Sequence, residues 1–313
     1  MPTLVIASTL NDTQNELLAA HPARPEIVRL DGRAAWDPPP GAQALFTYQT
    51  QWKAAPAVVP ATWPGSLKWL QIASAGLDTF PAWIHRVPLV TRGVGVQSAA
   101  MAEYVVAAVL AHEKRITAPR IAGPSEWRAR PLGAIAGKRL GIAGFGAIGA
   151  EVARLAIPLG LHVAAVRRSG GSGPEGVAMM GSLRDLFAWA DHVVLAMPLT
   201  SETRRCLDDD VLGAARPGLH LVNVSRGALI DDDALLRALA SGAVGAATLD
   251  VTSPEPLPEG HPFYSHPGIR LTPHESGAVE DGEERLARRL RANLDAYLAG
   301  EIPAGRVDPV RGY

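Results

Sequence analysis

The sequence predicts an α/β protein built of two doubly wound, parallel-sheet domains, and three observations carry that expectation. Short apolar runs alternate with helical patterns along nearly the whole chain, which places helices on the faces of parallel strands. At 313 residues the chain exceeds one comfortable hydrophobic core. A glycine-spaced turn, GFGAIG at 144–149, separates a strand-like run from a helix-like one and opens the most regular alternation in the sequence.

Taken in order, LVIAS reads as a strand, Asn11 to His21 as a helix, and EIVRL, AQALFTY and LKWLQIAS as strands or buried segments, followed by a strand at PLVTR. Proline and glycine in DPPPG, VVPATWPG and DTFP make the intervening connections loops. Ser98 to Ile116 is a long, mostly apolar helix, and RIAGPSEWRARPLGAIAGK an irregular connector. RLGIAGF is the next strand; the helix from Ala147 ends near Gly160, with Pro158 disturbing only its last turn. LHVAAVR follows as a strand, and Ser182 with Asp185 three residues on caps the helix SLRDLFAWA. DHVVLAM, GLHLVNVS, VGAATLDV and IRLTP are further strands, with helices at Asp208 to Ala215 and Asp231 to Ser241, and a charged helix from about Gly282 to Gly300 closes the chain. The expected boundaries are a cofactor domain over 98–279 and a discontinuous second domain from 1–97 and 280–313.

Composition narrows the function classes. A net charge of -1 gives no general pull toward nucleic acid or anionic membrane. Cys206 is the only cysteine, which excludes an internal disulfide and a cysteine-rich metal site and points to a reducing compartment, the cytoplasm. MPTLVIASTLNDTQ lacks the basic start of a signal peptide, and no run reaches the roughly 18 apolar residues of a membrane helix. His261 and His266 have no carboxylate at metal-ligand spacing and read as loop residues, so no metal is expected.

The glycine turn has a specific chemistry. Gly144 permits the tight turn, Gly146 lets backbone approach a pyrophosphate, and Gly149 lets helix pack on strand, with Ala147 and Ile148 between them. Phosphates then meet the unpaired N–H groups of a helix N-terminus, as in a Rossmann dinucleotide site. GVGVQS, 93–98, has serine in place of the third glycine and no regular βαβ unit after it, and reads as a hinge or loop. Beyond the second strand, where NAD enzymes carry an acidic residue, stand Arg167, Arg168 and Ser169. Two guanidiniums and a hydroxyl suit a ribose 2′-phosphate, so NADP(H) is the expected cofactor, with NAD(H) possible.

Three later stretches place reactive side chains just beyond strands, where doubly wound sheets bind ligands. HLVNVSRGALIDDDALL carries Arg226, AATLDVTSPEPLPEGHP carries Asp250 and Glu255, and IRLTPHESG carries His274. An arginine, a carboxylate and a histidine on adjacent strand ends suit reduction of a 2-oxo acid. From LKWLQIASAGLD onward the chain resembles the D-isomer-specific 2-hydroxyacid dehydrogenase family, above all its bacterial NADPH-dependent glyoxylate/hydroxypyruvate reductases. MAEYVV, MPLTSET, DVTSPEPLPEGHP, TPH and the terminal VDPVRGY carry that resemblance.

The resemblance implies a Rossmann cofactor domain and a flavodoxin-like substrate domain with the active site in the cleft between them, and a homodimer in contact through the Ser98–Ile116 helix and the Trp127 segment. It implies that Arg226 holds the substrate carboxylate and polarises the carbonyl, His274 exchanges a proton with the carbonyl oxygen, and Glu255 orients the imidazole and favours its protonated form. Asp250 would anchor near the nicotinamide, while Asn223, Pro198 and Thr203 would line the cofactor site. Ser74, Ala75 and Gly76 would offer backbone N–H groups to the carboxylate. Tyr48, Arg92 and Trp127 could line the substrate mouth or serve packing and subunit contact. Thr252 and Glu275 depart from the family, which more often has an aromatic and an apolar residue there. A short-chain dehydrogenase is excluded, since none of Tyr48, Tyr104, Tyr264 and Tyr297 has lysine four residues on. The competing classes are a dinucleotide-sensing corepressor on this fold and a family dehydrogenase using NAD and another 2-hydroxy acid.

Overall fold

The computed structural model describes residues 3–116, 121–168 and 170–309. The chain divides into two compact units, Met1–Gln97 with Val279–Tyr313, and Ser98–Ala278.

The first unit holds a sheet of β1 (Val5–Ser8), β2 (Glu26–Arg29), β3 (Ala44–Thr47), β4 (Trp69–Ile72) and β5 (Leu89–Arg92). Their order is β2-β1-β3-β4-β5 with every pair parallel, the flavodoxin-like arrangement. ALFT and WLQI are buried at every position, because a central parallel strand is covered on both faces. Asn11 caps helix α1 (Asp12–Ala19) by accepting from the Gln14 N–H. The last helix of the chain, α7 (Gly282–Leu298), returns to this unit. Its Leu286, Leu290 and Leu294 join Ile6, Phe46 and Trp69 in one core cluster, and Tyr297 stacks on Trp69 at 4.6 Å.

The second unit begins with α2 (Ser98–Lys114) and continues through β6 (Arg139–Ala143), α3 (Ala147–Ala156), β7 (His162–Val166), β8 (Val177–Met179), α4 (Leu183–Trp189) and β9 (His192–Leu195). α5 (Asp209–Gly213), β10 (Leu219–Asn223), α6 (Asp232–Ser241), β11 (Val244–Leu249) and β12 (Ile269–Leu271) complete it. The seven strands are all parallel in the order β12-β11-β10-β9-β6-β7-β8. Chain direction across the sheet reverses between β6 and β9, and that switch point is where doubly wound sheets bind dinucleotides. α3 buries Gly149, Val152, Ala153 and Ala156, the i, i+3, i+4, i+7 stripe of a helix lying on a sheet.

Two local details differ from the sequence expectation. The helix expected over Asp208–Ala215 is the single turn and a half of α5, with Asp208 as its cap, accepting from the N–H groups of Asp210 and Val211. β8 has only three residues in a Gly- and Ser-rich stretch, too short to leave a period-2 signal. Pro158 behaves as expected: α3 passes into a 3-10 turn at Ile157–Leu159 and stops at a left-handed Gly160.

At the strand N-termini of this sheet, opposite the ligand-binding edge, three histidines cluster. His192 opens β9 and His220 is the second residue of β10, and their Nδ1 atoms are 3.3 Å apart. His112 on α2 stacks on His220 at 4.3 Å, and His220 Nε2 lies 3.0 Å from Thr248 Oγ1. Glu113 is 3.2 Å from both His192 Nε2 and Lys138 Nζ. His192 and His220 are each 1% exposed, and burial holds the first at about 4 and the second well below the ordinary imidazole value.

Candidate active site

The strand ends of the seven-stranded sheet assemble the site loop by loop. After β6, Gly144 has φ +97°, and a Cβ there would come within 2.7 Å of Ala196 and Met197. That residue must be glycine both for its left-handed turn and for the close approach of the chain leaving β9. A Cβ on Gly149 would lie 2.5 Å from the Gly144 carbonyl oxygen, so the third glycine seats α3 on its own loop. A Cβ on Gly146 would meet nothing within 4 Å. Gly146 caps α3 without a side-chain hydrogen bond, which leaves the first N–H groups of a ten-residue helix open to an anion. Ala147 and Ile148 are its first two residues. This cradle fits a dinucleotide pyrophosphate.

After β7, Arg167 donates from Nε to the Gly170 carbonyl at 2.7 Å and from Nη2 to that of Ser172 at 3.0 Å. Arg168 Nη1 lies 3.4 Å from Glu202 Oε2, both side chains being largely exposed. Ser169 lies outside the described residues. After β9, the MPLT turn is knit by Thr203 Oγ1, which donates to the Pro198 carbonyl at 2.7 Å and accepts from the Thr200 N–H at 2.8 Å.

After β10, the fully buried Asn223 closes the arginine turn. Its Nδ2 donates to the Arg226 carbonyl at 3.0 Å, and its Oδ1 accepts from the Ser225 N–H at 3.0 Å. The Asn223 side chain therefore shapes the loop that carries Arg226. Arg226 itself is half-buried and donates from Nη1 to the Ser225 carbonyl at 2.7 Å. A Cβ on the next residue, Gly227, would lie 2.0 Å from the Thr252 carbonyl carbon. Glycine here lets the arginine loop press against the loop after β11.

That second loop holds the carboxylate. Glu255 Oε1 accepts from the Thr252 N–H at 3.1 Å, and Oε2 lies 2.9 Å from His274 Nδ1. With one oxygen on backbone and the other on imidazole, the Glu255 carboxylate engages Nδ1 of His274 and leaves Nε2 outside this pair. The pair is substantially exposed, 46% for His274 and 39% for Glu255. Its value is orientation more than stability, since solvent screens such a pair.

Asp250 is 1% exposed and turned inward. Its carboxylate accepts from Thr272 Oγ1 at 2.6 Å and from the N–H groups of Glu275 and Ser276 at 2.9 and 2.8 Å, while its carbonyl accepts from the His274 N–H at 2.8 Å. Burial opposes ionisation, but these donors at Ser276, Thr272 and Glu275 outweigh it and hold the carboxyl below its usual range. The role visible in this geometry is to fold the histidine loop.

Ser74, Ala75 and Gly76 lie in the other unit, on the loop after β4. The Ala75 carbonyl accepts from Arg92 Nη1 at 2.5 Å, and the Ser74 carbonyl from the Gly93 N–H at 3.0 Å. Tyr48 in that unit donates to Gln14 Oε1 at 2.6 Å, and Trp127 in the second unit is 80% exposed. Sequence reasoning missed Gly227 and the Thr252 N–H, which act through backbone proximity and leave no spacing pattern. Among the described residues, no group of three or more His, Cys, Asp or Glu is arranged to hold a metal ion, and no helix is long and apolar enough to cross a membrane.

Comparison with known proteins agrees with this geometry. Residues 106–276 match the model of the D-isomer specific 2-hydroxyacid dehydrogenase NAD binding domain. The chain is 33% identical to glyoxylate/hydroxypyruvate reductase A of Serratia proteamaculans, over 80% of this chain and 82% of that protein. It is 35% identical to a glyoxylate reductase of Aeropyrum pernix, over 70% and 69% respectively. A D-isomer specific 2-hydroxyacid dehydrogenase from Xanthobacter autotrophicus Py2, solved in complex with NADPH and MES, superposes with a TM-score of 0.81 at 30% identity over 99% of each chain. With a nucleotide-binding unit of this kind and relatives of this extent, the chain belongs to the D-isomer-specific 2-hydroxyacid dehydrogenase family of oxidoreductases.

Proposed function

We propose that this protein reduces a small 2-oxo acid of the glyoxylate or hydroxypyruvate type to the D-2-hydroxy acid, with NADPH preferred over NADH. The observation that carries the reading is the His274–Glu255 pair at 2.9 Å, with Glu255 itself fixed by the Thr252 N–H. His274 Nδ1–H is held by the carboxylate, so Nε2 delivers a proton to the substrate carbonyl oxygen and recovers one in the reverse direction. Arg226 binds the substrate carboxylate through its planar fork and polarises the carbonyl. Bound NADPH supplies the hydride.

Gly144, Gly146, Ala147, Ile148 and Gly149 cradle the pyrophosphate, and Pro198 and Thr203 border the same cofactor site. Asn223 and Asp250 contribute through the loops they fold. Arg167 and Arg168, on the loop after β7, are the residues we assign to the ribose, where a 2′-phosphate would gain charge-assisted hydrogen bonds that a diol lacks. One such contact is worth about 1.5–3 kcal/mol, at least tenfold in cofactor preference. The relatives named as glyoxylate reductases and the NADPH complex of the Xanthobacter protein support this reading. A cytoplasmic homodimer is the proposed working form.

The test is kcat/KM for a panel of 2-oxo acids with both cofactors, in the parent and in Arg167→Asp, at fixed ionic strength. The parent should favour NADPH and the variant NADH. Equal efficiency with both cofactors, or no change on substitution, would leave the arginine pair without a role in selectivity. NADPH binding without turnover of any 2-oxo acid would favour the sensing corepressor instead.

A further inference from the structure

Tyr104 lies on α2, in a motif that served above only to mark the family, and nothing in the proposed chemistry uses it. Its hydroxyl is 2.6 Å from Thr272 Oγ1, which is in turn 2.6 Å from Asp250 Oδ1. A carboxylate can only accept, so the Thr272 proton goes to Asp250 and Tyr104 donates to Thr272. Burial pushes the Tyr104 phenol up, despite the opposing effect of its bond to Thr272, so it remains a donor at neutral pH.

This chain of bonds ends on an unusual backbone. His274 has φ +55°, a left-handed conformation that a residue with a Cβ keeps only when its surroundings hold it there. The hold comes from Asp250. Its carbonyl takes the His274 N–H, and its carboxylate takes the N–H groups of Glu275 and Ser276. The Glu275 N–H and Thr272 Oγ1 share Asp250 Oδ1, while the Ser276 N–H takes Oδ2, so the hydroxyl adds a side-chain anchor to the two backbone ones. Thr272, braced by Tyr104, supplies that anchor.

We propose that Tyr104 is a positioning residue for His274, its hydroxyl fixing, through Thr272 and Asp250, the left-handed turn that presents the imidazole to Glu255 and to substrate. This inference rests on the proposed reductase reading. A helix outside the strand-end loops thereby sets the aim of the proton donor.

The experiment compares the parent with Tyr104→Phe, Thr272→Val and the double variant. Tyr104→Phe removes one hydroxyl and should lower kcat for 2-oxo acid reduction about 3- to 10-fold, the equivalent of one hydrogen bond. KM for NADPH should not move, and the thermal midpoint should fall by no more than the few degrees one hydrogen bond accounts for, which separates positioning from a general structural role. Thr272→Val breaks the next link and should cost at least as much, and adding Tyr104→Phe to it should cost nothing further. In the cofactor-free protein, amide exchange at His274, Glu275 and Ser276 should quicken in all three variants. Parental kcat or parental exchange in Tyr104→Phe, or a double variant showing the product of the two single effects, would overturn the inference alone. A parent that reduces no 2-oxo acid would overturn the functional reading, and this inference with it.

Discussion

Gly227→Ala adds one methyl group at the point where the arginine and carboxylate loops touch. The new Cβ would sit 2.0 Å from the Thr252 carbonyl carbon, 2.3 Å from its oxygen and 2.4 Å from its Cα, against at least 3.4 Å for an ordinary contact. The two loops must therefore part by about 1.4 Å, and both contact partners are backbone, which cannot swing aside as a side chain would. Arg226 is the residue before the methyl. On the other side, the Thr252 N–H holds Glu255, and Glu255 holds His274. The displacement thus falls between Arg226, the proposed carboxylate ligand, and His274, the proposed proton donor. A misplacement of about 1 Å costs on the order of 100-fold in rate, so kcat/KM for glyoxylate should fall by about that factor. NADPH affinity should persist, because the glycine turn lies after a different strand. Steady-state kinetics, with NADPH titration by fluorescence to confirm folding, measures both. Gly213→Ala is the control, since a Cβ there meets nothing within 4 Å. If Gly227→Ala kept more than a tenth of the parental efficiency, the idea that this contact sets the spacing of Arg226 and His274 would be wrong.

Removing the proposed proton donor itself should be at least as severe. His274→Ala is expected to lower turnover by roughly 100-fold or more while NADPH still binds, and near-parental turnover would remove His274 from its assigned role. The histidine cluster at the opposite sheet edge predicts acid sensitivity. His192 and His220 are held below the ordinary 6.5 by burial, more strongly than Glu113 can raise His192. Well above pH 6.5 they are neutral in both folded and unfolded chains. As pH falls toward about 4, the unfolded imidazoles take protons that the folded ones refuse, and stability is lost. Each contributes a slope of about 1.4 kcal/mol per pH unit in that window. Urea unfolding between pH 7 and 5 should show the slope reduced by about one histidine in His220→Asn, and parallel curves for parent and variant would refute the assignment.

The local features of this protein were legible in the sequence because their causes are local. The glycine spacing of 144–149 requires a turn into a helix whatever surrounds it, and the apolar runs now seen as β6, β9, β10 and β11 are continuous because both sheet faces are covered. Arg167, Arg226, Asp250 and His274 could be picked out because each directly follows such a run or lies within a few residues of its end. Their use was another matter. Asn223 and Asp250 read as residues of the cofactor site, and the structure adds that their side chains bond to the loops carrying Arg226 and His274. β8 was invisible because three residues are too few for a period. The contact of Gly227 with Thr252 and the bond from Tyr104 to Thr272, 168 residues away, exist only once the parallel strands pair and α2 packs on the sheet. Sequence alone thus determined most of the elements, the glycine turn and the candidate residues at the strand ends, each set by periodicity or by the conformational range of a single residue. The tertiary structure decided which carboxylate faces the imidazole and which faces inward, because that depends on distances between loops that are neighbours in space and not along the chain.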